Sequence, residues 1–282
     1  MSSISNLPTP PLVFNQITKV VNDPSTSVAE VANIMAEDPA MSAKVLRLAN
    51  SAYFGARQEI THMRQAILLL GLDAVKSLVL SSSVFDMFKK HKIDAEYQER
   101  FWRHSLATAL GARLCVTSLE AFNQLDPEVA FSAGLLHDLG KLIICCFMPD
   151  EHRQILSRQT VSEYSTYEVE REVMGFSHPL VGRLLAENWK LPRAIQHAIG
   201  WHHDPCPESD EEINYAHVVH LADYLARMTF ESETLKADAS TALRLSVRQQ
   251  VGLTNEVIEH LGQGLLDAYS RSTTFMQMAL AG

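Results

Sequence analysis

The chain has 282 residues, 46% of them hydrophobic, which is enough to fill a sizeable core, and a formal net charge of -9. That balance excludes phosphate-backbone binding as the main role, since such binding needs a clustered excess of Lys and Arg, so no nucleic-acid partner is expected. No apolar run is judged to approach the roughly 18 residues that span a bilayer, and the start MSSISNLPTPP lacks a signal peptide's basic and apolar regions, so a cytoplasmic protein with no membrane partner is expected.

The elements read as helices throughout, and no alternating strands separated by hairpin turns are found, so the fold class is all-α. Ser27 with Glu30 makes a capping-box pattern before 28–35, and Asp38-Pro39 starts a second short helix. Thr61 is the expected cap of a helix that runs through 66–70 and stops at Gly71; 73–89 reads as the next. The polar stretch KKHKID (89–94) is a boundary candidate, followed by a helix over 96–119. Further helices are expected at 127–147, 164–174, 179–188, 193–202 and 213–228, and the segment 235–280 also reads as helical. The domain reading is an N-terminal helical subdomain over 7–92, a metal-binding subdomain over 93–228, and a C-terminal extension over 235–280.

Four cysteines show neither zinc-ligand spacing nor a secreted disulfide pattern, and Cys145-Cys146 reads as a pair of buried thiols in an apolar helix. The chemistry concentrates around His137-Asp138 in AGLLHDLGKL. A neutral imidazole and an adjacent carboxylate can each donate to a divalent cation, and the carboxylate has a second oxygen to bridge another ion. Lys141 lies one turn beyond His137, where it could meet a substrate phosphate.

A lone His-Asp pair is equally an ordinary hydrogen-bonded pair. His104 in FWRHSLA reads as readily as a core histidine, His178 in FSHPLVG as a poor helix cap, and His202-His203 in WHHDP as a pair favoured by a helix C-terminus. Asp223 in VHLADYLA says more, because an acid on an apolar helix needs a partner if buried. His217 and His220 precede it by two turns and one turn; one of them is expected to support the site by hydrogen bonding, against the alternative of an ordinary amphipathic face.

The ordered set His104, His137-Asp138, His178, His202-His203 and Asp223 resembles the ligand set of HD-superfamily metal-dependent phosphohydrolases, including the HD-GYP signalling branch. The segment EDPAMSAKVLRLANSAYFGARQEITHMRQAILLLGLDAVKSLVL resembles the HDOD family of bacterial signalling output domains, through Asp38-Pro39, Leu46, Asn50, Ser51, Tyr53, Phe54, Gly55, Ala66-Ile67 and Leu70-Gly71. Asn50, Ser51 and Tyr53 are expected to shape the fold more than to bind a ligand.

The resemblance implies a bacterial regulatory protein that contacts signalling or regulatory proteins, with a helical bundle around two divalent ions. Asp138 would bridge them, with His104, His137 and Asp223 on one side and His178, His202 and His203 on the other. Nitrogen-rich donors favour iron, manganese, nickel or zinc over magnesium. The alternative is an active phosphohydrolase on a phosphorylated small molecule or nucleotide, in which Asp138 and Lys141 serve catalysis. Arg100, one turn before His104 where some HD-GYP enzymes place a Glu ligand, argues against a third ion; DPCPESDEE after His203 lacks the Gly-Tyr-Pro element of cyclic di-GMP hydrolysis.

Overall fold

The computed structural model describes residues 27–36, 58–72, 93–159, 164–205, 213–230 and 243–272, with positions 42–43, 45–46, 49–50, 74–75, 79 and 91. Among the described residues every regular element is helical and there is no strand, so the chain is all-α. The helices are α1 (Val28–Ala36), α2 (Met63–Leu70), α3 (Ala95–Ser118), α4 (Pro127–Leu136), α5 (Leu139–Phe147), α6 (Pro149–Gln159), α7 (Thr166–Met174), α8 (His178–Asn188), α9 (Arg193–Trp201), α10 (Tyr215–Phe230), α11 (Leu245–Val251) and α12 (Asn255–Ser270).

The described residues divide into two compact units, one within 104–266, the other within 27–103 together with 267–272. In the second unit α1 packs against α2 through buried Val31, Met35, Ala66, Ile67 and Leu70. The capping box expected at Ser27 is formed: the Glu30 backbone N–H donates to Ser27 Oγ at 3.3 Å and the Ser27 N–H to Glu30 Oε2 at 2.8 Å. The cap of α2 is His62 rather than Thr61, and Gly71 ends it with φ 82°. Asn50 clasps Ile60 through two 2.7 Å bonds, accepting from its N–H and donating to its carbonyl, a structural use of that side chain. Asp38-Pro39, Ser51, Tyr53, Phe54, Gly55, Cys206 and nearly all of 73–89 lie outside the described residues.

In the first unit α8 packs on α5 and α9, and α9 and α10 both pack on α4. The apolar stretch Pro127–Phe147, expected as one helix, runs to 21 residues, enough to span a bilayer by length and composition, but it is mostly buried inside the protein. It is also two helices, broken by a turn at His137-Asp138. Asp126 caps α4, accepting from the Glu128 and Val129 N–H groups, with Pro127 as first helical residue. Buried Leu139, Leu142, Ile143, Ile144, Cys145 and Cys146 then tie α5 into the core. The helix α6 was not among the expected elements; only Ile155 of PDEHRQILSRQ is buried, which leaves too thin an apolar stripe to read.

Two glycines set the separation of α5 and α8. A Cβ on Gly140 would fall 1.9 Å from the His178 carbonyl oxygen, and one on Gly182 would fall 3.1 Å from the Gly140 backbone nitrogen. Only hydrogen at these positions lets the two backbones touch where Asp138 and His178 begin their helices.

Candidate metal centre

The seven residues singled out by order along the chain converge in space. Each comes from the end of an element or a buried helix face: His104 from α3, His137-Asp138 from the turn between α4 and α5, His178 from the first residue of α8, His202-His203 from the turn after α9, and Asp223 from the middle of α10. Ser165 and Glu168 form a capping box on α7, and Gly175 closes that helix in the left-handed conformation, so the chain turns sharply into His178.

Three sets of donors each lie within 4.8 Å of one another: His178, His202 and His203; His104, His137 and Asp223; and His137, Asp138 and His202. Asp138 sits between the first two sets. Its Oδ1 is 3.3 Å from His178 Nε2 and 3.7 Å from His202 Nε2, while its Oδ2 is 3.4 Å from His137 Nε2 and 3.8 Å from His104 Nε2. Asp223 Oδ1 lies 2.9 Å from His104 Nε2 and 4.0 Å from His137 Nε2.

The imidazoles are oriented by their far nitrogens. His137 Nδ1 donates to the Gly134 carbonyl at 2.7 Å, and His202 Nδ1 to the Ile199 carbonyl at 2.8 Å. A carbonyl only accepts, so both protons are on Nδ1 and both Nε2 atoms present lone pairs. His178 Nδ1 faces the Glu170 carboxylate at 2.7 Å. Its Nε2 lies 3.1 Å from His203 Nε2 and 3.3 Å from His202 Nε2.

The charge states fit a cation. Burial lowers the pKa of His137 to about 4, against the pull of Asp138 and Asp223. Burial, with neighbouring histidines, also holds His202 and His203 well below the ordinary range. Burial opposes a charged His178, but Glu170 and Asp138 outweigh it and raise that pKa. Burial would raise Asp138 and Asp223 too; His137 and Lys141 at the first, and Arg227 and His104 at the second, hold both well below the carboxylate range. The result is ionised carboxylates beside neutral imidazoles at His137, His202 and His203, the protonation that divalent transition metals require. His137 Nε2 and Asp138 Oδ1 are buried without a hydrogen bond, a cost that a cation held between them would offset.

Lys141 places Nζ 2.7 Å from Asp138 Oδ2, so it lies beside the carboxylate as well as near His137. His220 donates from Nδ1 to the His202 carbonyl at 2.7 Å, whereas His217 caps its own helix at Asn214. Three residues were not anticipated. Glu170 is buried and holds His178; Arg227 donates to Asp223 Oδ1 at 2.9 Å; Arg244 donates to the His203 carbonyl at 3.2 Å. The four-residue step from Asp223 to Arg227 is a helical ion-pair spacing that the sequence displays. Glu170 carries no comparable signal, because its role depends on a turn eight residues later folding back. A cleft of about 250 Å³ between α7, α8 and α9 opens on His203 and is lined by Tyr167, Arg171, Phe176, Arg183 and Trp201.

The HDOD domain model matches residues 7–205. Among solved structures, an HDOD domain protein of unknown function from Geobacter sulfurreducens is 26% identical, with a TM-score of 0.74 over 96% of this chain and 93% of that one. A candidate phosphohydrolase from Shewanella amazonensis SB2B is 23% identical, with a TM-score of 0.74 over 99% and 97%. A candidate signal transduction protein from Marinobacter aquaeolei VT8 is 19% identical, with a TM-score of 0.77 over 99% of this chain and 64% of that one. The last two share the fold. The chain spans at most 40% of the length of the curated relatives it matches. Asp223, His220 and Arg244 lie beyond the matched residues, yet reach the same cluster. With the model covering most of its length and the structural likeness extending end to end, the chain belongs to the HDOD family.

Proposed function

We propose that this chain is a bacterial signal-transduction protein, acting in the cytoplasm, whose buried cluster holds two divalent ions. His104, His137 and Asp223 would hold one and His178, His202 and His203 the other, with Asp138 between them. The observation that carries the reading is the inward set of Nε2 lone pairs on His137 and His202, each fixed by an Nδ1–H bond to a backbone carbonyl. Iron, manganese, nickel or zinc suit that nitrogen-rich set. In this proposal residues 7–92 face a signalling or regulatory protein, 93–228 carry the ions, and 235–280 follow as an extension.

A second reading, metal-dependent hydrolysis of a phosphorylated small molecule or nucleotide, is favoured by Lys141 beside Asp138 and by the arginine-lined cleft at His203. Lewis acidity towards a phosphoryl oxygen is the chemistry such ions supply when bound. Lys141 would neutralise charge developing on the phosphoryl group, Asp138 would orient Lys141, and Arg171 and Arg183 would bind the phosphate on entry. The absence of a Gly-Tyr-Pro element after His203 sets cyclic di-GMP aside.

Metal analysis of the protein purified without a histidine tag tests the first reading, with about two ions per chain expected and a folded, metal-free, metal-indifferent protein overturning it. Assays on phosphomonoesters, phosphodiesters and nucleotides test the second. Activity abolished in Asp138→Ala supports it, and activity that survives the substitution removes it.

A further inference from the structure

The turn carrying His202 and His203 is the C-terminal end of α9, where backbone carbonyls have no partner within the helix. Two of those carbonyls are taken by side chains that follow much later in the sequence. His220 Nδ1 lies 2.7 Å from the His202 carbonyl oxygen, and Arg244 Nε donates to the His203 carbonyl at 3.2 Å. The two partners are joined to each other, because the Arg244 backbone N–H donates to His220 Nε2 at 3.0 Å.

These bonds fix the imidazole. A carbonyl only accepts and a backbone N–H only donates, so His220 is neutral with its proton on Nδ1. Burial keeps it neutral by lowering its pKa. The Arg244 guanidinium also lies 3.6 Å from Asp204, an exposed pair that contributes little by itself. Arg244 stands at the N-cap of α11, so the chain of bonds runs from the start of α11 through His220 to the turn bearing two candidate ligands.

Resting on the metal-centre reading, we infer that Arg244 and His220 are positioning residues for His202 and His203, and that they link metal binding to the order of α11. Partners of this kind, one bond removed from a ligand, set its direction, and their loss weakens metal binding about 10- to 100-fold. The linkage is reciprocal: whatever holds α11 in place strengthens metal binding, and metal binding holds α11 in place. This makes the segment after residue 243, outside the family-matched residues 7–205, part of the metal centre.

The full chain, purified without a histidine tag and stripped of metal, is titrated with Co²⁺, whose visible absorption reports both affinity and coordination. His220→Asn keeps a donor for the His202 carbonyl but leaves no acceptor where the ring Nε2 meets the Arg244 N–H, Arg244→Ala removes the bond to the His203 carbonyl, and Arg244→Lys retains a donor there. The first two are expected to bind Co²⁺ about tenfold or more weakly with an altered spectrum, and Arg244→Lys to recover most of the affinity. In the wild type Co²⁺ slows amide exchange across Leu245–Val251, and in His220→Asn it does not. Thermal midpoints of the metal-free forms separate this from plain destabilisation: a lowered midpoint with unchanged Co²⁺ affinity and spectrum overturns the inference. Unchanged variants alongside a wild type that binds leave the metal centre standing and remove the linkage. A wild type that develops no Co²⁺ absorption removes both.

Discussion

Glu170 grips His178 twice: its Oε2 lies 2.7 Å from the ring Nδ1 and accepts from the His178 backbone N–H, also at 2.7 Å. One buried carboxylate therefore fixes both the ring direction and the main-chain position of a residue whose Nε2 faces Asp138, His202 and His203. Glu170→Ala is expected to weaken metal binding about 10- to 100-fold, with Glu170→Gln intermediate because its amide oxygen can still accept. Titration with Mn²⁺ or Zn²⁺ of the untagged protein measures both.

Metal removal should be visible as lost stability. A ligand that binds only the folded chain adds about 2.7 kcal/mol at a hundredfold excess over its Kd. Chelation is expected to lower the thermal midpoint, and added Zn²⁺ or Mn²⁺ to restore it. Asp138→Asn takes the carboxylate from between Lys141 and His178, so its midpoint should respond little to either treatment. Scanning calorimetry of the two proteins with and without metal provides the comparison.

Gly140→Ala tests whether the approach of α5 to α8 builds the site. The added methyl would sit 1.9 Å from the His178 carbonyl oxygen and 2.8 Å from the Gly182 nitrogen, both backbone atoms. A loss of about 3 kcal/mol or more is expected, at the upper end for overpacking, together with weakened metal binding. At Gly175 a Cβ meets nothing within 4 Å, so Gly175→Ala carries only the cost of φ 78° and leaves the metal site intact. Urea unfolding and metal titration of both variants distinguish the two effects.

Burial pushes the Cys115 thiol up to about 12 from its ordinary 9.0. Folding therefore favours the neutral thiol; that contribution is whole below about pH 9 and is lost as pH rises towards 12. The urea midpoint is expected to fall between pH 9 and 11, and Cys115→Ala to fall less steeply over the same range. Cys145 and Cys146, raised by burial to about 11 and about 12, should resist alkylation at pH 8 until the protein unfolds. Mass spectrometry after timed iodoacetamide treatment reads this directly.

Residue type and order were enough to single out the seven residues that converge, because buried His and Asp on otherwise apolar helices need compensating partners. Helix ends with local chemistry were legible too, as at Ser27-Glu30 and Gly71. The break at His137-Asp138 was not: AGLLHDLGKL keeps an apolar helical pattern through the turn. Nor was α6, whose single buried side chain leaves no stripe.

What the sequence determined by itself was the helical class, the family and the identity of the seven clustered residues, since periodicity, caps and residue types act within a few positions of the chain. The tertiary structure decided the rest. It placed Asp138 between the two triads, set Glu170 behind His178, and brought Arg244 back to His203, 41 residues away. These relations arise where separate helices touch, through a glycine that admits a neighbouring backbone or an open helix end that needs a partner, and no local pattern in the chain encodes them.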